Sequence, residues 1–186
     1  MNGVRIIGGA WKRSKLPVAD RPGLRPTPDR VRETLFNWLG QDLTGWSCLD
    51  AFAGSGALGF EAASRGAAHV LMLESDLQLA RSLALTRERL HAEQVRIEVA
   101  DALDWMGRSE AAFDLVFVDP PFGAGLSERA LAAARPLVAP DGWVYLEATR
   151  PVDPRLLDRI GLSLHRAGRA GAVHFHLLRL AKLAGP

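Results

Sequence analysis

The stretch Cys48-Leu49-Asp50-Ala51-Phe52-Ala53-Gly54-Ser55-Gly56-Ala57-Leu58-Gly59 decides how the rest of the chain is read. Cys48–Phe52 is a short apolar strand, and Leu58–Arg65 is the helix that follows it. Between them the glycines let the backbone turn sharply and approach a ligand closely, and the helix start offers free N–H groups. A Gly54-x-Gly56-x-x-Gly59 string of this kind opens dinucleotide sites and other nucleoside sites alike. Taken alone it also fits a ligand-free turn.

Working outward toward the C-terminus, strands and helices alternate. Strands are predicted at Val70–Glu74, Val95–Val99, Leu115–Val118 and Val144–Glu147, and helices at Leu77–His91, near Ala102–Met106 and at Ser127–Leu137. Cys48–Phe52 and Leu115–Val118 are near-continuous apolar runs, as strands covered on both faces require. The alternation predicts an α/β fold with a parallel sheet and helices on both sides. The end differs. After a helix at Pro154–Ile160, Leu162–Arg166 and Val173–Leu180 are two strands joined by the glycine-rich turn Gly168–Gly171, which predicts an antiparallel pair at one sheet edge.

Toward the N-terminus, Val4–Ile7, Gly8-Gly9 and Trp11–Leu16 read as a hairpin, and residues 17–26, with three prolines, as an irregular loop. Thr27 is then placed as the N-cap of a helix with Pro28 at its first position, and Val31, Leu35, Trp38 and Leu39 on one face.

Composition sets the outer bounds. The chain has 186 residues, 48% hydrophobic and 24% charged, which suits one domain with a real core. We divide it into a basic extension over 1–40 and a core over 41–186. Cys48 is the single cysteine, so no internal disulfide forms, and a reducing, cytoplasmic compartment is expected. No apolar run reaches membrane-span length and no signal peptide is read at the start. Net charge is +2, but residues 1–40 carry eight basic side chains against three acidic ones, whereas the rest carries fifteen basic and eighteen acidic. A basic end on a mildly acidic body points to phosphate as its partner, with Arg5, Lys12, Arg13 and Lys15 in the hairpin as candidate RNA contacts. Trp11 among them either stacks on a base or packs against the protein.

Three more positions complete a candidate site. Glu74 ends the second core strand about 20 residues after the glycines, followed by Ser75; an acid there takes both hydroxyls of a ribose, in a nicotinamide cofactor or in S-adenosylmethionine. Asp76 is the better candidate for capping the next helix. Asp101-Ala102 follows the third strand; Asp101 either accepts from an adenine amino group or caps a helix, and Ala102 leaves room for a ring.

Asp119-Pro120-Pro121-Phe122 is the most informative. It follows the strand Leu115–Val118, at the sheet end where such folds bind ligands. Two prolines fix φ and remove two donors, leaving a rigid turn rich in acceptors. Acceptors suit an amino group: the Asp119 carboxylate and the Pro120 carbonyl hold its two hydrogens and aim its lone pair, and Phe122 gives a face for a base to stack on. A nicotinamide oxidoreductase would share the glycines and Glu74 but has no use for this tetrapeptide. A DNA amino-methyltransferase usually adds a target-reading insert that is absent here. A non-catalytic RNA-binding factor needs the basic hairpin but not Asp119.

Asp119-Pro120-Pro121-Phe122 together with Asp50-x-Phe52-x-Gly54-x-Gly56 resembles the amino-methyltransferases of the class I S-adenosylmethionine fold. Arg5-Ile6-Ile7-Gly8-Gly9-x-Trp11-Lys12-x-x-Lys15-Leu16, Gly23-Leu24-Arg25-Pro26-Thr27-x-Asp29-Arg30-Val31-Arg32-Glu33-Thr34-Leu35-Phe36-Asn37-Trp38-Leu39 and the glycine loop together resemble one bacterial family, which methylates N2 of a guanine in 16S ribosomal RNA of the small subunit. The resemblance runs from residue 4 to about 180. Ser14 and Thr86 depart from it, standing where glycine and asparagine are common. It implies a Rossmann-like, seven-stranded, mostly parallel sheet with the last strand antiparallel, preceded by a hairpin and helix. It implies S-adenosylmethionine as cofactor, held by Asp50, Phe52, Ala53, Gly54, Ser55, Gly56, Glu74, Ser75, Asp101 and Ala102, with Arg25 and Thr27 lying over it. It also implies 16S ribosomal RNA as partner, free or in the small subunit, and a monomer that needs no metal and no membrane.

Overall fold

The computed structural model describes residues 3–18, 28–121 and 125–181. Its main sheet has seven strands, in the order β5 (Val95–Val99), β4 (His69–Glu74), β3 (Ser47–Asp50), β6 (Phe113–Val118), β7 (Val138–Ala148), β9 (Val173–Leu180), β8 (Leu162–Ala170). β3 to β7 run parallel, and β9 runs antiparallel to both its neighbours. This is the expected fold class. The terminal pair is antiparallel as expected, with the last strand inside the edge: β9 lies between β7 and β8.

Both faces of the sheet are covered, which explains the unbroken apolar runs. Along β6, Leu115 and Phe117 point into one core with Val31, Leu35 and Phe36 of α1 (Asp29–Trp38) and Phe60 of α2 (Ala57–Ser64); Leu83 of α3 (Leu77–Arg89) packs there too. Val116 and Val118 point into the other, with Met106 of α4 (Ala102–Met106), Leu131 of α5 (Leu126–Ala134) and Leu157 of α6 (Pro154–Ile160). Each such side chain, fully buried, contributes about 1.5–3 kcal/mol.

Three elements differ from expectation. β7 begins at Val138, which pairs with Phe113; residues 139–142 of β7, with the turn-like Pro140-Asp141-Gly142, then bulge out opposite the single Asp114, and pairing resumes at Leu115 and Trp143. Helix α1 begins at Asp29, with Pro28 (ψ 146°) as the capping residue outside the helix; Thr27 lies outside the described residues. The N-terminal hairpin pairs only β1 (Gly3–Arg5) with β2 (Lys15–Pro17), around a wider connection. Its glycines serve a close approach instead. The Gly9 Cα lies so near the end of α2 that an added Cβ would stand 1.8 Å from the Ser64 carbonyl oxygen. The Ala10 N–H donates to that oxygen (2.7 Å) and the Trp11 N–H to Ser64 Oγ (2.9 Å).

Ionic contacts fix the same junction. Arg32 of α1 and Glu61 of α2 are both fully buried. Arg32 Nη1 donates to Glu61 Oε2 (3.1 Å), and Nη2 donates to the Arg5 carbonyl (2.8 Å) and to Asp29 Oδ1 (2.6 Å). Glu61 also accepts from the Ile7 N–H and from Arg65. Arg32 therefore belongs to the interior and adds nothing to the basic surface counted in the sequence. Among the described residues, no helix is long and apolar enough to cross a membrane, and no group of three or more His, Cys, Asp or Glu could hold a metal.

Candidate active site

The chain runs from β3 outward to β4 and β5, then returns to β6 on the other side of β3. Strand-end loops on either side of that reversal part and leave a crevice. Here it is a cavity of about 480 Å³, walled by the loops after β3 to β6, by Glu147 on β7 and by the β8–β9 turn.

Asp50 closes its floor and is almost fully buried. Its Oδ2 accepts from the Gly59 N–H in the first turn of α2 (2.9 Å), tying strand to helix across the glycine turn. Burial pushes the Asp50 carboxyl up to about 7; the Gly59 hydrogen bond opposes this and the Glu74 charge adds to it. A raised carboxyl contributes stability that is complete below the ordinary pKa and is lost as pH rises through about 7. We therefore expect Asp50→Asn, which keeps an acceptor for Gly59, to gain about 2 kcal/mol relative to the parent between pH 5.5 and pH 8. Urea unfolding at the two pH values measures it.

Glu74 is held at the rim with both oxygens oriented: Oε2 accepts from the Gly54 N–H (2.9 Å) and Oε1 from the Asp76 N–H (2.8 Å). Asp76 caps α3, accepting from Gln78 and Leu79. Asp101 caps α4 through the Asp104 N–H (3.0 Å) and also lines the cavity beside Ala102. Phe52, Ala53, Gly54, Ser55 and Ser75 line it as well. Gly56 does not. It sits behind the loop at φ +76°, where a Cβ would strike Leu83 and Phe60, so its role is to shape the turn. Asp119, half-buried, together with Pro120 and Pro121, forms the opposite wall. Arg25, Thr27 and Phe122 lie outside the described residues.

In the hairpin, Arg5, Lys12, Arg13 and Lys15 are exposed, while Trp11 is half-buried against the core, the packing alternative. Cys48 is buried, its thiol pushed up by burial. His176 is buried too and accepts from the Val152 N–H.

Sequence reading did not single out Glu147. It is 4% exposed at the end of β7, and its Oε1 accepts from the Tyr145 hydroxyl (2.8 Å). An acid ending an apolar strand was its signal. A second omission is charge at the other end: residues 150–186 carry seven basic and two acidic side chains. One of these, the exposed Arg169 on β8, flanks with the exposed Arg30 of α1 a shallow groove that also includes Trp38 and Phe175. Ala170 lines both this groove and the cavity.

A family model described as Conserved hypothetical protein 95 matches residues 4–179. Ribosomal RNA small subunit methyltransferase D of Escherichia coli strain K12 is 42% identical over 179 residues, covering 94% of this chain and 88% of that protein. The chain belongs to the ribosomal RNA small subunit methyltransferase D family. A solved structure of the yhhF protein of Escherichia coli matches with a TM-score of 0.84 at 37% identity, over 97% of this chain and 99% of the other. Magnesium protoporphyrin IX methyltransferase of Synechocystis, solved with S-adenosylmethionine bound, matches with a TM-score of 0.67 at 16% identity, over 82% and 79% of the two chains. That likeness places the methyltransferase D family chain in the class I methyltransferase fold.

Proposed function

We propose that this chain transfers a methyl group from S-adenosylmethionine to the exocyclic N2 of one guanine in 16S ribosomal RNA. The observation that carries the reading is a single cavity with the acceptor wall Asp119–Pro120 facing the glycine loop and Glu74.

The residues present fit that cofactor. Glu74, fixed by two backbone N–H groups, offers its remaining lone pairs to a vicinal diol. Leu79, Ala102 and Leu103 give an apolar slot for a ring, with Asp101 beside it for the amino group. Gly54 and Ser55 allow close backbone approach, and Asp50 braces the glycine turn from beneath by accepting from the Gly59 N–H. When bound, S-adenosylmethionine supplies a methyl group already activated by its sulfonium charge. The chain's task is then placement. Asp119 and the Pro120 carbonyl accept the two amino hydrogens, so that the nitrogen lone pair faces the methyl. Phe122 is assigned the stacking face for the base, and Arg25 and Thr27 the cover over the cofactor. The whole chain acts as one domain, as a monomer in the cytoplasm, and needs no metal.

RNA is held by the hairpin residues Arg5, Lys12, Arg13 and Lys15, and by the groove between Arg30 and Arg169, which shares Ala170 with the cavity wall. Reversing both arginines (Arg30→Glu with Arg169→Glu) should weaken RNA binding at least 10-fold and lower the log–log salt slope by about 2, with cofactor affinity unchanged. Filter binding across a salt series reads both.

The reading itself is tested with labelled S-adenosylmethionine offered separately to naked 16S RNA, to small subunits lacking the modification and to duplex DNA. Label in N2-methylguanosine at one ribosomal RNA site is the expected result, and the better RNA substrate shows whether assembly comes first. Label in DNA alone, or none, overturns it.

A further inference from the structure

We infer that Glu147 reads the N1–H of the target base and so makes the site select guanine over other amino-bearing bases. The inference rests on the functional reading above.

Strands β6 and β7 run parallel with Val118 beside Leu146, so the next residues, Asp119 and Glu147, stand side by side where the strands end. Both line the cavity. They follow Phe117 and Tyr145 on the same sheet face, whose rings meet edge-on at 6.2 Å. Neighbouring strands are about 4.8 Å apart, which puts two carboxylates against adjacent atoms of one base edge. Tyr145 fixes the second of them: its hydroxyl donates to Glu147 Oε1 at 2.8 Å. Burial, then the Glu147 charge and hydrogen bond, then Asp119 raise the Tyr145 hydroxyl well above its usual range, so it stays a donor.

Enzymes that act on an extruded base read its Watson–Crick edge. In guanine the amino group stands next to N1–H, so two donors meet two acids. In adenine and cytosine the amino group stands next to a bare ring nitrogen, whose lone pair would face the buried Glu147 carboxylate. A buried polar group left without its partner rejects an analogue far more strongly than a lost apolar contact does. Asp119 and Pro120 recognise any exocyclic amine; Glu147 supplies the choice among bases.

The test uses target-site ribosomal RNA, assembled into the subunit if the enzyme requires it, carrying either guanine or 2-aminopurine at the target. The analogue keeps the amino group and replaces N1–H with an acceptor. The parent enzyme should prefer guanine by at least 100-fold in kcat/KM. Glu147→Gln, whose amide can donate to that acceptor, should narrow the preference at least 10-fold, with cofactor Kd unchanged. Equal kcat/KM of the parent on the two RNAs overturns the inference without any variant, and so does an unchanged preference in a folded Glu147→Gln. N2-methylguanosine formed by the parent upholds the function in either case, so the two failures are separate.

Discussion

Asp119→Ala should lower the rate of methyl transfer at least 100-fold while the cofactor binds as before. Asp119 stands at the end of β6 on the cavity wall opposite Glu74, and the side of the cavity proposed for the cofactor is built from the ends of β3, β4 and β5. Removing its carboxylate therefore leaves the diol acceptor and the glycine turn in place. What is lost is one preorganised acceptor for the amine, and the loss of a single positioning group of this kind costs about 10²–10³ in rate. Because the alignment matters in the transition state more than in the ground state, the loss should fall on kcat. Asp119→Asn is the informative companion: its amide oxygen keeps one acceptor for the amine while the charge and the second acceptor are lost, so activity should fall less than in Asp119→Ala. Single-turnover kinetics with labelled cofactor, beside equilibrium dialysis of the same label, separate the two effects. Near-normal turnover in Asp119→Ala would remove the amine-holding role from this residue.

The sequence made this assignment possible because its signals are local. A glycine turn between an apolar strand and a helix, an acid at a strand end and a Pro-Pro turn each declare themselves within a few residues, and strand alternation supplies the order in which they meet. Long-range pairing leaves no such trace. Nothing in Leu162–Ala170 or Val173–Leu180 says that β9 enters between β7 and β8. Pro140-Asp141-Gly142 reads as a loop because these residues are themselves the bulge of β7, and only the pairing of Val138 with Phe113 shows that the strand starts before them. Gly8 and Gly9 read as a turn because the helix end they press against is more than fifty residues away.

The site was legible on the same terms. Asp50, Glu74, Asp101 and Asp119 sit at strand ends and were found there. Glu147 sits at a strand end too, but no glycine or proline marks it, and only the register with β6 sets it beside Asp119. Arg30 and Arg169 lie far apart in sequence and meet through the packing of α1 on the β8–β9 hairpin.

Arg32 is the charged residue whose role sequence reading inverts, and its substitution should have the largest effect on stability. A charged side chain on a helix is read as solvated, and a count of basic residues assigns Arg32 to a phosphate-binding surface. In the fold it is fully buried, donating to Glu61, to Asp29 and to the Arg5 carbonyl. Arg32→Met fits the space but leaves the Glu61 carboxylate, also fully buried, with Arg65 as its one remaining ionic contact among those described. Breaking one side of a buried pair costs about 3–5 kcal/mol, mostly the cost of the stranded charge. For a chain of this length that lowers Tm by about 10 °C. The cause is separable from lost packing. A double-mutant cycle with Glu61→Gln, which keeps an acceptor for the Ile7 N–H and changes the Arg65 contact equally in both arms, isolates the pair: Arg32→Met should cost less in the Glu61→Gln background than in the parent. An equal cost in the two backgrounds would mean that the loss is packing alone and that the stranded-charge account is wrong. Because Arg32 joins α1 to the hairpin through Arg5 and to α2 through Glu61, and Pro28 at the head of α1 lines the cavity, the single variant should also weaken cofactor binding below its Tm.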